Sequence, residues 1–191
     1  LGMCEAMEGR SAEALAEYER AIEAGERGLP GAAETVAEAR MVKAEALQTL
    51  GRHAEAEPLL RGFIAGEGSD ASERPISARL SLAASLMQQG KPKEEVEGLL
   101  RGAVERVRAT GRAGTPLGLA AMNNYAGFLL QGGRNEEGAA MAVEVMRAAE
   151  KLYPPTHPDL AYASAMAAQA LLSTGKVAEA REAGVRAVQI L

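Results

Sequence analysis

One short pattern recurs along this 191-residue chain, and it restricts the fold more than any other feature. A glycine is followed by a basic residue and, a few positions on, by a small or apolar anchor. The five occurrences are Gly9-Arg10 with Ala14, Gly51-Arg52 with Ala56, Gly90-Lys91 with Val96, Gly133-Arg134 with Gly138, and Gly175-Lys176 with Ala180. The anchors at 14, 56, 96, 138 and 180 are separated by 42, 40, 42 and 42 residues. A near-fixed period of this length marks a repeat architecture, in which each supersecondary unit buries its apolar face only against its neighbours.

The residues on either side of each glycine read as helices. Four positions after the anchors stand Tyr18, Leu60, Leu100, Ala142 and Gly184, and seven after them Ala21, Phe63, Ala103, Val145 and Ala187. Offsets of four and seven lie on one helical face. Leu82 and Leu86 precede Gly90, Tyr125 and Leu129 precede Gly133, and Ala167 and Leu171 precede Gly175 at matching offsets. Each unit is therefore a helix, a glycine turn in the left-handed conformation, and a second helix. Breakers separate the units: Gly28 with Pro30, Gly68 to Asp70, Gly111 to Pro116, and Tyr153 to Pro158. Thr115-Pro116 reads as an N-cap followed by a proline in the first turn, and Thr156-His157-Pro158-Asp159 reads similarly. The pattern predicts helices over 1–8, 11–25, 31–50, 53–65, 75–89, 92–110, 116–131, 135–152, 159–174 and 177–190.

Composition agrees with an all-α protein. Strong helix formers dominate, aromatic residues make up 3%, and Trp is absent. Much of the apolar content is alanine, which predicts a thin core spread along many helix contacts. The net charge of −5 argues against a nucleic-acid surface. Residues 1–60 hold 12 acidic and 6 basic residues, a pattern expected of solvated helix faces. No apolar run reaches the roughly 20 residues of a membrane span, and no basic-then-apolar leader opens the sequence. The lone Cys4 excludes an internal disulfide framework and points to a reducing, cytoplasmic setting, where it packs as a small apolar group.

The stretch from Met122 to Glu137, which runs MNNYAGFLLQGGRNEE, resembles the tetratricopeptide repeat. It looks like the long-period variety of kinesin light chains and many bacterial proteins, with units of about 42 residues in place of about 34. The linker His157-Pro158-Asp159 with Ala161 is similar to their inter-repeat signature. The resemblance covers essentially the whole chain. It implies an α-solenoid of antiparallel helix pairs wound into a right-handed superhelix. A single domain, 1–191, would hold a partial repeat at 1–25 and full repeats at 31–65, 75–110, 116–152 and 159–191.

It also implies peptide or protein binding along the concave side, lined by the first helix of each pair. The family's groove positions fall on Asn123, Asn124, Gly127, Leu130 and Gln131; on Tyr162, Ala165, Met166, Gln169 and Leu172; and on Ser77, Leu80, Ser81, Ala84, Met87 and Gln88. Asn123, Asn124, Gln131, Tyr162, Met166, Gln169, Met87 and Gln88 are taken as the candidate set. Asn and Gln carry both donor and acceptor and can hold the backbone of an extended peptide. Met adapts its shape, and Tyr adds buried area with one polar tip. Lys and Arg do not cluster at these positions, which argues against a clamp for a C-terminal carboxylate. Two departures stand out: Arg40 and Lys43 occupy positions where the family prefers apolar residues, and Val96 sits one residue further from its glycine than the other anchors, as an insertion in that turn would place it.

Catalytic signals are thin. His53 and His157, the only histidines, fall in turns without metal-ligand spacing, and a surface role is expected of His53. Ser173-Thr174-Gly175-Lys176 has no partner motif and coincides with a repeat turn. Gly66-Glu67-Gly68 lacks a third glycine and a strand. No catalytic, cofactor or metal site is expected, and the chain reads as a binding module. Ala/Gly/Arg-rich composition and the absence of an initiator Met suggest a piece of a larger bacterial signalling or regulatory protein. The apolar end at Ala187, Val188, Ile190 and Leu191 raises an alternative, self-assembly of a homo-oligomer through exposed ends.

Overall fold

Glycine fixes where the helix pairs reverse. In the computed structural model, which describes residues 2–27, 32–66 and 72–190, Gly51, Gly90, Gly133 and Gly175 have φ of 71°, 65°, 78° and 75°. Each sits two residues past the end of the first helix of a pair. The glycine N–H bonds back to the carbonyl of the second-last helical residue, as in Gly51 to Gln48 O at 2.9 Å, and the next residue bonds one carbonyl earlier, as in Arg52 to Leu47 O at 2.8 Å. The same two bonds recur at Gly90 and Lys91, Gly133 and Arg134, and Gly175 and Lys176. This is the Schellman arrangement, which satisfies helix-end carbonyls and needs a left-handed residue that only glycine adopts without strain.

Among the described residues the chain forms nine α-helices and no strand. They are α1 (Gly2–Glu26), α2 (Ala32–Thr49), α3 (His53–Gly66), α4 (Arg74–Gln88), α5 (Lys93–Ala109), α6 (Pro116–Gln131), α7 (Asn135–Leu152), α8 (Pro158–Ser173) and α9 (Val177–Ile190). A short 3-10 turn, Arg112–Gly114, leads into α6. From α2 onward the helices begin and end within two residues of the sequence pattern. Val96 is displaced because Pro92 is inserted between Lys91 and α5; elsewhere the second helix starts two residues after the glycine.

The first glycine behaves differently. A turn is expected at Gly9-Arg10, yet α1 runs unbroken from Gly2 to Glu26. Glycine permits a left-handed turn and does not impose one; in a helix interior it costs only about 1 kcal/mol. At Gly51, Gly133 and Gly175 the helices on either side dock against each other, and that packing holds the turn. The side chain of Cys4, the breakers at 28–31 and 67–71, and Leu191 lie outside the described part.

Two compact units divide the chain, residues 1–99 and 100–191, with the division inside α5. In the first, α1 packs on α2, α2 on α3, and α3 on α4. Its core includes Leu47, Leu60, Ile76, Leu82 and Leu86, all at most 2% exposed. Gln48 on α2 donates to Ser81 O at 2.6 Å and Ser85 Oγ at 2.8 Å on α4, tying two first helices together. His53 Nδ1 lies 3.4 Å from the same Ser85 hydroxyl, so this histidine is half-buried in an interhelical polar contact and is not a plain surface residue. Lys43, the apolar-position exception, ion-pairs with Glu19 on α1 at 2.9 Å.

In the second unit α6 packs on α7, α7 on α8, and α8 on α9. Its core centres on alanines: Ala126, Ala139, Ala142, Ala167, Ala170 and Ala183. These small residues let the helices approach closely, as the composition implied. Gly138 takes the position that Ala56 and Ala180 fill elsewhere because a Cβ there would lie 2.6 Å from Leu130 Cγ. On α9, Ala187 is buried, Val188 is 74% exposed and Ile190 is half-buried.

Second helices are stitched to one another by exposed ion pairs. Arg61 of α3 meets Glu95 of α5 in the first unit, while Arg108 of α5 meets Glu144 of α7, and Arg186 of α9 meets Glu150 of α7, in the second. Exposed pairs of this type contribute about 0–1 kcal/mol each. Their consequence is that these charges of the second helices are matched within each unit.

Ser164 is fully buried on α8, and its hydroxyl has no hydrogen-bond partner among the described residues. An unsatisfied buried hydroxyl costs about 1–3 kcal/mol of desolvation. Ser164→Ala is therefore expected to keep or raise the melting temperature. A clear drop would mean that the hydroxyl is satisfied.

Candidate functional site

Thr115 and His157 aim the two helices that matter most. Thr115 Oγ1 accepts from Gly118 N at 3.1 Å, with Pro116 at the first position of α6. At α8 the cap is His157, one residue past the expected Thr156; its Nδ1 accepts from Asp159 N at 3.2 Å, with Pro158 first in the helix. The His157 ring stacks on Tyr153, with ring centroids 4.2 Å apart and planes 10° from parallel. This stacking favours histidine over threonine as the cap, because it fixes the ring while its nitrogen accepts the amide proton.

Side chains of α6 and α8, the first helices of successive pairs in the second unit, line two pockets in turn. The first, of 220 Å³, lies toward their N-terminal ends. It is lined by Pro116, Leu119, Ala120, Asn123 and Asn124 of α6, by Asp159, Tyr162 and Ala163 of α8, and by Val145, Ala149 and Tyr153 from α7 and its end. The second, of 370 Å³, lies toward their C-terminal ends. Gly127, Leu130 and Gln131 of α6, Met166, Gln169, Ala170 and Ser173 of α8, and Asn135 of α7 line it. Asn135 Nδ2 donates to Ser173 O at 3.5 Å across its mouth.

Six of the eight candidate residues thus fall on these pockets: Asn123, Asn124 and Tyr162 on the first, and Gln131, Met166 and Gln169 on the second. Tyr162 is 58% exposed, so most of its ring is free to meet a ligand. Met87 and Gln88 line neither. They lie exposed at the C-terminal end of α4 in the first unit.

The α7 contribution escapes sequence inspection. Val145 and Ala149 read as core residues of a second helix, and Tyr153 as part of a breaker. Nothing in their spacing says that they close the end of a pocket. Asp159 reads as a favourable charge at a helix start, which it is, but it also faces the pocket. Burial raises the Tyr153 phenol above its ordinary range, and the Asp159 carboxylate, which accepts its hydrogen bond, raises it further.

What the arrangement offers is recognition. Apolar floors are edged by amides and phenols, the mixture that orients a bound chain without reacting with it. Among the described residues no group of three His, Cys, Asp or Glu side chains could hold a metal ion, and no helix is long and apolar enough to cross a membrane.

Known proteins share this architecture. Models of the tetratricopeptide repeat match residues 37–61, spanning α2 into α3, and 119–159, spanning α6, α7 and the start of α8. A crystal structure of a protein described as a kinesin light chain of Podosopora anserina, with nearly identical TPR-like repeats, has a TM-score of 0.76 at 21% identity. The match covers 96% of this chain and 88% of that one. A variant of the same protein gives 0.77 with the same identity and coverage. BtubC (BKLC) from P. vanneervenii gives 0.74 at 18% identity, covering 94% of this chain and 73% of that one. At these identities the likeness is one of fold. No curated protein matches the chain in sequence.

Proposed function

We propose that this chain, two stretches of which match tetratricopeptide-repeat models and whose fold is like that of kinesin-light-chain-like repeats, binds an extended peptide segment of another protein along the α6–α8 side of its second unit. The supporting observation is that Asn123, Asn124, Gln131, Tyr162, Met166 and Gln169 line two pockets that follow one another along the same pair of helices. An extended chain rises about 3.3 Å per residue, so a few residues would reach from one pocket to the next. Amides from both helices could meet its backbone groups, and the apolar floors its alternate side chains. The second helices favour this side by default, since Arg108 and Arg186 are already paired with Glu144 and Glu150. We infer that the setting is a larger bacterial signalling or regulatory protein in the cytoplasm, on the strength of the Ala/Gly/Arg-rich composition and the lone cysteine.

The test compares this protein with an Asn123→Ala/Asn124→Ala/Gln131→Ala variant in parallel pull-downs from the native source. Circular dichroism checks that the variant keeps its helicity. The expected result is a protein retained by the first and lost by the folded variant. Equal retention by both would move the interface off this side and discard the groove assignment.

A further inference from the structure

The pocket at the N-terminal ends of α6 and α8 has a charge character that the rest of the groove lacks. Asp159 is the one ionisable carboxylate in its lining, and neither Lys nor Arg lines it. Tyr162, also in the lining, is exposed, and Tyr153 lines the same pocket and interacts with the Asp159 carboxylate. Its apolar lining comes from Leu119, Ala120, Val145, Ala149 and Ala163.

Helix starts usually favour anions, because their free amides and dipole ends are positive. Here most of those amides are spent. Pro116 and Pro158 carry no N–H, Gly118 N donates to Thr115 Oγ1, Asp159 N donates to His157 Nδ1, and Leu119 and Leu160 N donate to Thr115 O and His157 O. What α7 adds is its C-terminal end, through Ala149 and Tyr153. That end carries the negative side of the dipole and favours a cation. A fixed carboxylate, a helix C-terminus and an exposed aromatic face all select the same ligand charge.

We propose that this pocket takes a lysine or arginine side chain of the bound peptide, its methylene stem on the apolar floor and its cationic head between Asp159 and Tyr162. The assignment rests on the groove reading above. It goes beyond it by giving the partner a chemistry, a basic residue in an extended segment. The second pocket is lined by no charged residue and places no such demand, so the basic residue has a fixed register relative to the rest of the peptide.

The probe is N-acetyl-arginine N-methylamide, titrated into isotope-labelled protein while amide and side-chain resonances are followed by NMR. N-acetyl-norleucine N-methylamide and N-acetyl-glutamate N-methylamide serve as comparators. The arginine derivative is expected to shift the side-chain amides of Asn123 and Asn124, and to bind about tenfold more tightly than norleucine, as one charge-assisted contact provides. Asp159→Asn, which keeps a polar residue at the helix start, is expected to remove that advantage. Tyr162→Leu, at an exposed position, is expected to weaken arginine more than norleucine. Equal binding of all three probes at the pocket, unchanged in Asp159→Asn, overturns the basic preference and leaves the groove intact. Shifts confined to other surfaces overturn both. A preference for the glutamate derivative, or no shift with the arginine derivative at tens of millimolar, overturns the proposal.

Discussion

Leu86→Ala is expected to cost about 2–5 kcal/mol of stability, the range for removing a fully packed leucine. Leu86 is 0% exposed, and its carbonyl accepts the Lys91 N–H at 2.9 Å in the turn that ends α4. It therefore anchors both the core of the first unit and the geometry of a helix reversal. The neighbouring core positions along α4 include Ala83 and Ser85, whose short side chains cannot swing into the space left behind. A cavity that does not collapse places the cost toward the upper part of the range. Urea unfolding followed by circular dichroism reads the effect as a lower midpoint. Leu172→Ala is the control: at 58% exposure it is expected to stay within about 0.5 kcal/mol of the parent. Similar midpoints for Leu86→Ala and the parent would show that Leu86 is not the packed anchor described here.

Gly118→Ala is the second large effect, and its sign is opposite to that of a neighbouring glycine. A Cβ on Gly118 would lie 2.0 Å from Arg112 O and 2.9 Å from Arg112 C, both backbone atoms of the 3-10 turn that precedes α6. Backbone cannot rotate away as a side-chain tip can. The turn or the start of α6 must shift, at about 1–3 kcal/mol for overpacking. The Thr115 cap, which bonds to Gly118 N, is placed at risk as well, and a lost cap adds about 1 kcal/mol. Gly127 lies in the interior of the same helix with nothing within 4 Å of its Cβ position. Gly127→Ala is expected to stabilise by about 0.5–1 kcal/mol, by removing backbone freedom from the unfolded chain. Thermal melts of the two variants should move in opposite directions. If both rise, the close approach of the 3-10 turn to α6 is not a feature of the folded protein.

These two glycines show where sequence inspection stops. Both stand in an apolar helical stretch, and a reader of the sequence has no ground to treat them differently. The contrast lies in Arg112, which folds back on α6 through a turn that the breaker Gly111 to Pro116 signals only as an interruption. Gly9 carries the same lesson in reverse. Its pattern matches the four glycines that make turns, but α1 continues through it, because a turn needs docked helices on both sides as well as a permissive residue.

The sequence by itself determined the all-helical class, the period of the repeat, four of the five glycine reversals and the prolines that start α6 and α8. Each of these depends on the backbone preference of one or two residues, or on apolar residues recurring along a single helix, and such information is local. The resemblance to the tetratricopeptide repeat, not the spacing, put forward Asn123, Asn124, Gln131, Tyr162, Met166 and Gln169 as groove residues. Tertiary structure alone decided that these six meet across α6 and α8, that Val145, Ala149 and Tyr153 close one pocket, and that Asp159 gives it a charge. The physical reason is that a pocket is made by side chains from separate helices. Their convergence depends on how closely the alanine contacts let those helices approach, which no spacing within one helix records.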